Sequence, residues 1–260
     1  MIPEREIKER AREFGVPTST IERDYVQNWF LSALPPVNMA LKGGTGIRKV
    51  YIENYRFSDD LDFTLLEPVD ADTLRTAVID AMVRVHDESG IQFEDEIGFR
   101  QTRNGFKATT RFRILHRSST SPIKIDLDLT GADSEQILLP VSGRSVFHHY
   151  SDGLETSVNS YALEEIMAEK IRSIFQRTRS RDLYDIGQLA GRADRDVVRS
   201  IVHRKCEYKG VVVNAEILRE KRDQFAALWQ VSLGYQIHDI PDFDAVFENV
   251  ISEIEGYSTD

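Results

Sequence analysis

The sequence predicts an α+β chain in two parts, a mixed-sheet domain over residues 1–155 and a helical domain over residues 156–260. Two observations predict it. In the first part, short apolar or alternating segments such as VNMAL (37–41) and IKIDLDL (123–129) are interleaved with stretches of helical periodicity. After the polar stretch SDGLETSVNS (151–160), read as a linker, strand signals nearly vanish and helical spacing takes over. At 260 residues and 41% hydrophobic content, the chain has enough apolar side chains for a sizeable core.

The elements follow in chain order. Ile21–Leu34, IERDYVQNWFLSAL, has apolar residues at helical spacing and meets Pro35-Pro36, which stop a helix. VNMAL reads as a strand running into Lys42-Gly43-Gly44-Thr45-Gly46, where glycine lets the backbone turn sharply and approach a ligand. In RFSDDLDF (56–63), residues two apart on a strand share a face, so Asp60 and Asp62 lie side by side with Leu61 and Phe63 behind them. A helix over Ala71–Glu88 precedes strands around Ile91–Phe99, Phe106–Leu115 and Ile123–Leu129. The second part holds helices over Tyr161–Arg177, Arg181–Ala190, Asp194–Tyr208, Asn214–Gln230 and Phe243–Ile254.

Composition narrows the classes of function. No apolar run reaches the roughly 18 residues a membrane helix needs, and the charged start MIPEREIKERAREF is unlike a signal peptide, so a cytoplasmic location without a membrane partner is expected. The single cysteine, Cys206, has no partner for a disulfide or a thiolate zinc site. A net charge of −10 opposes nucleic-acid binding by the chain as a whole, but Arg100–Lys124 holds seven Lys or Arg and no Asp or Glu. KIRSIFQRTRSR (170–181) is a second basic run.

Three groups of residues point to chemistry. Paired carboxylates such as Asp60 and Asp62 repel unless a cation lies between them, and hard oxygen ligands suit Mg²⁺ or Mn²⁺. Backbone donors of the glycine turn, brought up against that pair, suit phosphates. In IKIDLDL, Lys124, Asp126 and Asp128 share one strand face; Asp126 is the candidate third metal ligand and Asp128 the runner-up, the ordinary alternative being a half-exposed strand. In ALEEIMAEKIRSIFQR (162–177), Lys170 projects from an apolar stripe of Leu163, Ile166, Met167, Ile171 and Ile174. A buried ammonium needs an anion, supplied by a substrate or by Asp185 of the next helix in a structural salt bridge. Lys107, Arg111 and Arg113 alternate along a predicted strand, so they line one face able to follow RNA phosphates.

Taken together, IERDYVQNWFLSAL, LKGGTGIRKVY, RFSDDLDF, IKIDL and LEEIMAEKIRSIFQRTRSRDLYDI, spanning roughly residues 21–190, resemble the AbiEii and MenT family of nucleotidyltransferase toxins, within the polymerase-β-like nucleotidyltransferase superfamily. One departure is Gly46-Ile47, where relatives commonly have a small residue followed by leucine. The resemblance implies that Gly43, Gly44 and Thr45 hold a triphosphate, joined by Lys42, Arg56 and Ser58. It implies that Asp60 and Asp62 bind metal and that Lys170 and Asp185 complete the catalytic set. The activity implied is Mg²⁺-dependent transfer of a nucleoside monophosphate from an NTP to the 3′ acceptor end of tRNA, blocking translation and growth, with a cognate antitoxin as partner and a role in phage defence. Two other readings fit the same residues: transfer to a small molecule or protein, and an inactive module that binds RNA or antitoxin.

Overall fold

The computed structural model describes residues 1–34, 37–114 and 122–257. Pro35-Pro36, Leu115 at the end of a predicted strand, and residues 116–121 of the acid-free segment lie outside the described residues. The chain forms two compact units: Met1–Glu135 with Val141–Tyr161, and Gln136–Pro140 with Ala162–Asp260.

The first unit begins with helices α1 (Glu4–Glu13) and α2 (Thr18–Ala33), then strand β1 (Met39–Lys42), a helical turn α3 (Gly43–Gly46) that continues as a π-turn over Ile47–Tyr51, and β2 (Asp60–Leu65). Helix α4 (Ala71–Ser89) follows, then β3 (Gln92–Phe93), β4 (Gly98–Thr102), β5 (Gly105–Arg113), β6 (Ile123–Thr130), β7 (Ser142–Ser145) and β8 (Ser157–Ser160). The strands form one mixed sheet in the order β3-β5-β6-β2-β1-β8-β7, with β4 also on β5. The β2–β6 and β1–β8 pairs are parallel and the others antiparallel. One face of the central strands, with Leu61, Phe63, Ile125, Leu127 and Phe112, shares a core with Tyr25, Val26 and Phe30 of α2 and Leu74, Val78 and Val85 of α4. Helix α4 starts where the Asp70 side chain accepts from the Thr73 amide at 2.9 Å, and it stops at Gly90, whose φ of 78° lies in the left-handed region.

The expected single strand over Ile91–Phe99 is instead β3 and β4, which pair with different parts of β5 on either side of Glu94-Asp95-Glu96. The stretch read as a linker ends in a strand, β8, whose polar side chains gave no apolar alternation to see. Helix α1 and the exposed strand β7 were not expected either.

Helix α2 is buried nearly all round and carries polar groups inward. The Asp24 carboxylate meets Arg48 Nε at 2.6 Å and Lys49 Nζ at 2.7 Å and accepts from the Tyr150 hydroxyl at 2.8 Å, which ties the π-turn to α2. Burial opposes ionisation of Asp24, but Arg48 and Lys49 outweigh it and hold its carboxyl well below the usual carboxylate range. A carboxylate whose pKa is lower folded than unfolded contributes stability that is complete above its unfolded value, about 4, and is lost as pH falls below it toward the folded value. The melting temperature is therefore expected to drop as pH falls below about 4. Asp24→Asn is expected to be less stable at pH 7, because Lys49 stays buried, and to lose less on acidification. Parallel acid limbs for the two proteins, read by circular dichroism melts, would remove Asp24 from the account.

The second unit holds α5 (Leu163–Gln176), α6 (Ser180–Leu189), α7 (Arg195–Tyr208), α8 (Ala215–Glu220), α9 (Arg222–Leu233) and α10 (Phe243–Glu255). The single helix expected over Asn214–Gln230 is two, α8 and α9, because the backbone at Lys221 (φ −92°, ψ 0°) leaves the helical path. The Lys221 ammonium donates to the Phe175 carbonyl at 3.1 Å, which gives the break a partner. Lys205 is fully buried between Glu165 at 2.6 Å and Glu169 at 3.1 Å, and Glu165 also accepts from the Leu138 and Leu139 amides. Cys206 is buried on α7, where desolvation pushes its thiol up to about 11. Among the described residues, no helix is long and apolar enough to cross a membrane.

Candidate active site

In the first unit the antiparallel β1–β2 register sets Lys42 opposite Asp62, so the glycine turn begins beside the acidic strand. Gly43 has φ 67°, in the left-handed region, and a Cβ there would stand 2.6 Å from Asp62 Oδ2. A Cβ on Gly44 would stand 2.7 Å from Arg56 Nη2 and 3.2 Å from Ser58 Oγ. Glycine at both positions is what brings the turn's backbone against Asp62, Arg56 and Ser58. The Thr45 hydroxyl donates to the Asp60 carbonyl, and Arg56 Nη1 donates to the Phe57 carbonyl at 3.1 Å. Lys42, Gly43, Gly44, Thr45, Arg56 and Ser58 are thus gathered around the start of β2.

The carboxylates are arranged by strand register. Parallel pairing of β2 with β6 sets Asp60 opposite Asp126 and Asp62 opposite Asp128; antiparallel β5 then adds Thr109 opposite Asp126 and Lys107 opposite Asp128. One row across the sheet therefore reads Lys42, Asp62, Asp128, Lys107, Arg100, and the next reads Asp60, Asp126, Thr109. Facing residues share a side of the sheet, while Leu61, Ile125 and Leu127 turn to the core on the other. Burial and then the charges of Asp62, Asp59, Asp126 and Asp128 push the Asp60 carboxyl up to about 6.

Asp126 is differently placed. Its Oδ1 accepts from the Thr109 hydroxyl at 2.7 Å, and its Oδ2 meets Lys124 Nζ at 2.6 Å and Lys107 Nζ at 3.1 Å. Burial resists the charge, but Lys124, Thr109 and Lys107 together hold its carboxyl below the ordinary value. Lys107 also lies 3.4 Å from Asp128; burial works against its ammonium, and Asp126 and Asp128 outweigh burial and raise its pKa. Arg111 and Arg113, on the same face of β5, are exposed; Arg111 makes a loose 3.8 Å pair with Glu94 and stands opposite Lys124 of β6.

Helix α2 braces the acidic loop. Arg23 Nη1 meets Asp59 at 2.6 Å and its Nε donates to the Lys124 carbonyl at 3.1 Å, linking the loop before β2 to the start of β6. The buried Gln27 amide donates to the Ser58 and Asp59 carbonyls at 3.0 and 3.2 Å. Sequence reasoning singled out neither residue. The available signal was polar residues at 23, 24, 27 and 28 of a helix too apolar to be exposed on that side.

In the second unit Lys170 lies between two buried carboxylates, 2.7 Å from Asp182 and 2.8 Å from Asp185. Asp182 also meets Arg177 Nε at 2.9 Å. Burial raises the cost of charging Asp182, yet Lys170 and Arg177 hold its carboxyl well below the usual range. Asp182, within the RDLYD run, is a partner that the apolar periodicity did not single out. The expected catalytic residues therefore fall into two groups, Asp60 with Asp62 in one unit and Lys170 with Asp185 in the other.

Among the described residues, no three or more His, Cys, Asp or Glu side chains are grouped so as to hold a metal ion. The donor chemistry still fits a divalent cation at Asp60 and Asp62: both are hard oxygen ligands, and the Asp60 charge is opposed by its acidic neighbours.

The family profile described as "Nucleotidyl transferase AbiEii toxin, Type IV TA system" matches residues 29–249. Among solved structures, the chain is similar to MenT4, a nucleotidyltransferase toxin of Mycobacterium tuberculosis, with TM-score 0.66 and 18% identity over 99% of this chain and 90% of that one. It is similar also to JHP933 from Helicobacter pylori, with TM-score 0.60 and 18% identity over 93% of both chains. A putative nucleotidyltransferase from H. pylori gives TM-score 0.59 at 17% identity, over 93% of this chain and 96% of that one. At these identities the likeness is one of fold. No curated protein matches the chain.

Proposed function

Because the chain belongs to the AbiEii nucleotidyltransferase toxins, and is therefore a nucleotidyltransferase of a toxin–antitoxin family, we propose that it transfers a nucleoside monophosphate from an NTP to the 3′ acceptor end of a tRNA. A cognate antitoxin restrains it, and it works in the cytoplasm. The observation that carries the reading is the seating of Gly43 and Gly44 against Asp62, Arg56 and Ser58. A triphosphate needs backbone that can come close and fixed positive charge beside it, and that turn provides both. Lys42 and Arg56 supply the charge, and Ser58 supplies a hydroxyl. Asp60 and Asp62 are the residues to hold Mg²⁺ or Mn²⁺, which when bound neutralises charge developing on the phosphates. Gln27 and Arg23 keep the acidic loop in register. Lys170 and Asp185 are assigned catalytic roles on the family resemblance.

The test is incubation of the purified protein with total tRNA and each labelled NTP in turn. Label at the 3′ end of RNA with one NTP supports the reading. Label on no RNA with any of the four sends the acceptor to a small molecule or a protein.

An RNA acceptor is favoured by the exposed Arg111 and Arg113 on the carboxylate-bearing side of β5. Since Lys107 is engaged by Asp126 and Asp128, these two arginines carry the open part of the basic strand. Arg111→Glu with Arg113→Glu is expected to raise the KM for tRNA on the order of tenfold and to flatten its dependence on salt, leaving the KM for NTP nearly unchanged. Equal KM values for tRNA in wild type and variant would reduce this strand to a solvated face.

A further inference from the structure

We propose that this site works with a single divalent cation at Asp60 and Asp62, and that Lys107 supplies, as a fixed ammonium, the positive charge a second cation would bring to Asp126. The inference rests on the nucleotidyltransferase reading above and concerns how that site is charged. Both oxygens of Asp126 are already engaged, Oδ1 by Thr109 and Oδ2 by Lys124 and Lys107. None of these donors is there by chance of a long side chain. Thr109 is the cross-strand partner of Asp126, Lys107 is the cross-strand partner of Asp128, and Lys124 sits two residues before Asp126 on the same face of β6. The register that builds the sheet therefore builds the cage.

A cation seeking Asp126 must displace ammonium groups from a buried carboxylate oxygen. The displaced Lys107 would then sit on a partly buried site facing a dication, with only its longer contact to Asp128 left. Like charges at such separations are costly where solvent screening is poor. Asp128 offers no way round, because the same Lys107 reaches it at 3.4 Å. The two lysines thus match the two carboxylates of β6, and the two carboxylates of β2 are those assigned to the cation. A lysine fixed by carboxylates on a strand also keeps its charge in place without metal, whereas a second cation would come and go with its concentration.

The test counts Mn²⁺ on the full-length protein with each of the four α,β-methylene NTPs in turn, by electron paramagnetic resonance and calorimetric titration. We expect one Mn²⁺ per chain and no spin-coupled Mn²⁺ pair. Asp126→Asn is expected to keep that count with affinity within about threefold, while Asp62→Asn loses it. In Lys107→Met with Lys124→Met, Asp126 is released and a second Mn²⁺ is expected. Two Mn²⁺ in the wild type, or a tenfold loss of affinity in Asp126→Asn, overturns the inference and leaves the nucleotidyltransferase reading standing. Should Asp126→Asn fail to fold, the wild-type count decides alone. A wild type that binds no Mn²⁺ with any analogue overturns this inference together with the metal assignment of Asp60 and Asp62.

Discussion

Asp62→Asn is expected to reduce nucleotidyl transfer by on the order of a thousandfold while moving the melting temperature by only a few degrees. The amide fills the volume of the carboxylate, whose Oδ2 lies close against Gly43. It removes one negative charge from a face already crowded with them, so the fold loses little and the neighbouring Asp60 is relieved of a repulsive partner. What it also removes is a hard anionic ligand, and a neutral amide oxygen is a poorer ligand for a small divalent cation than a carboxylate. Asp60→Asn should behave alike. Activity within tenfold of wild type in either variant, at unchanged melting temperature, would show that the acidic pair does not hold the cation.

Lys170→Met is expected to cost about 3–5 kcal/mol of stability, on the order of 10 °C in melting temperature. Methionine matches the length of the lysine stem, so the loss is one of charge. Asp182 keeps Arg177, but Asp185 has no exposed surface from which to recover hydration. Adding Asp185→Asn should therefore return part of the lost stability, since it removes a buried carboxylate charge along with the lysine that met it. A single variant that melts with wild type would mean that Lys170 is not needed to balance these carboxylates. Activity measured per folded molecule separates the catalytic role from this structural one. A residue serving only as counter-ion leaves turnover of the folded fraction unchanged, whereas a residue touching the nucleotide does not.

How far the site could be read in advance depended on the range of the interaction. Gly43-Gly44 and Asp60-x-Asp62 were visible because strand alternation and glycine chemistry are local, and a β1–β2 pairing needs only adjacent elements. Asp126 was visible as a residue on a strand face, but its caging by Lys107, Lys124 and Thr109 was not, because that follows from the register between β5 and β6. Lys107 reads with Arg111 and Arg113 as one basic face of a strand, and its engagement by Asp126 and Asp128 needed the cross-strand register. Arg23 and Gln27 act through side-chain contacts across 31 to 101 positions of sequence, and Asp182 reaches Lys170 on another helix 12 positions away, which periodicity cannot report. Strand β8 escaped for a different reason. It is held by its neighbours β1 and β7, and its own residues are mostly serine and asparagine.

The chain changes unit at three points, after Glu135, after Pro140 and after Tyr161. Gln136–Pro140 therefore belongs with helices that come later in the chain, its Leu138 and Leu139 amides closing on Glu165 beside the buried Lys205. A gene split at codon 161 would give neither half whole: the upstream fragment would carry five orphan residues, and the downstream one would lose the amides that share its buried Glu165. Such an arrangement is not what end-to-end joining of two ready-made modules produces. It makes the helical unit a poor cassette for recombination, and a donor of that unit would have to bring its strap along.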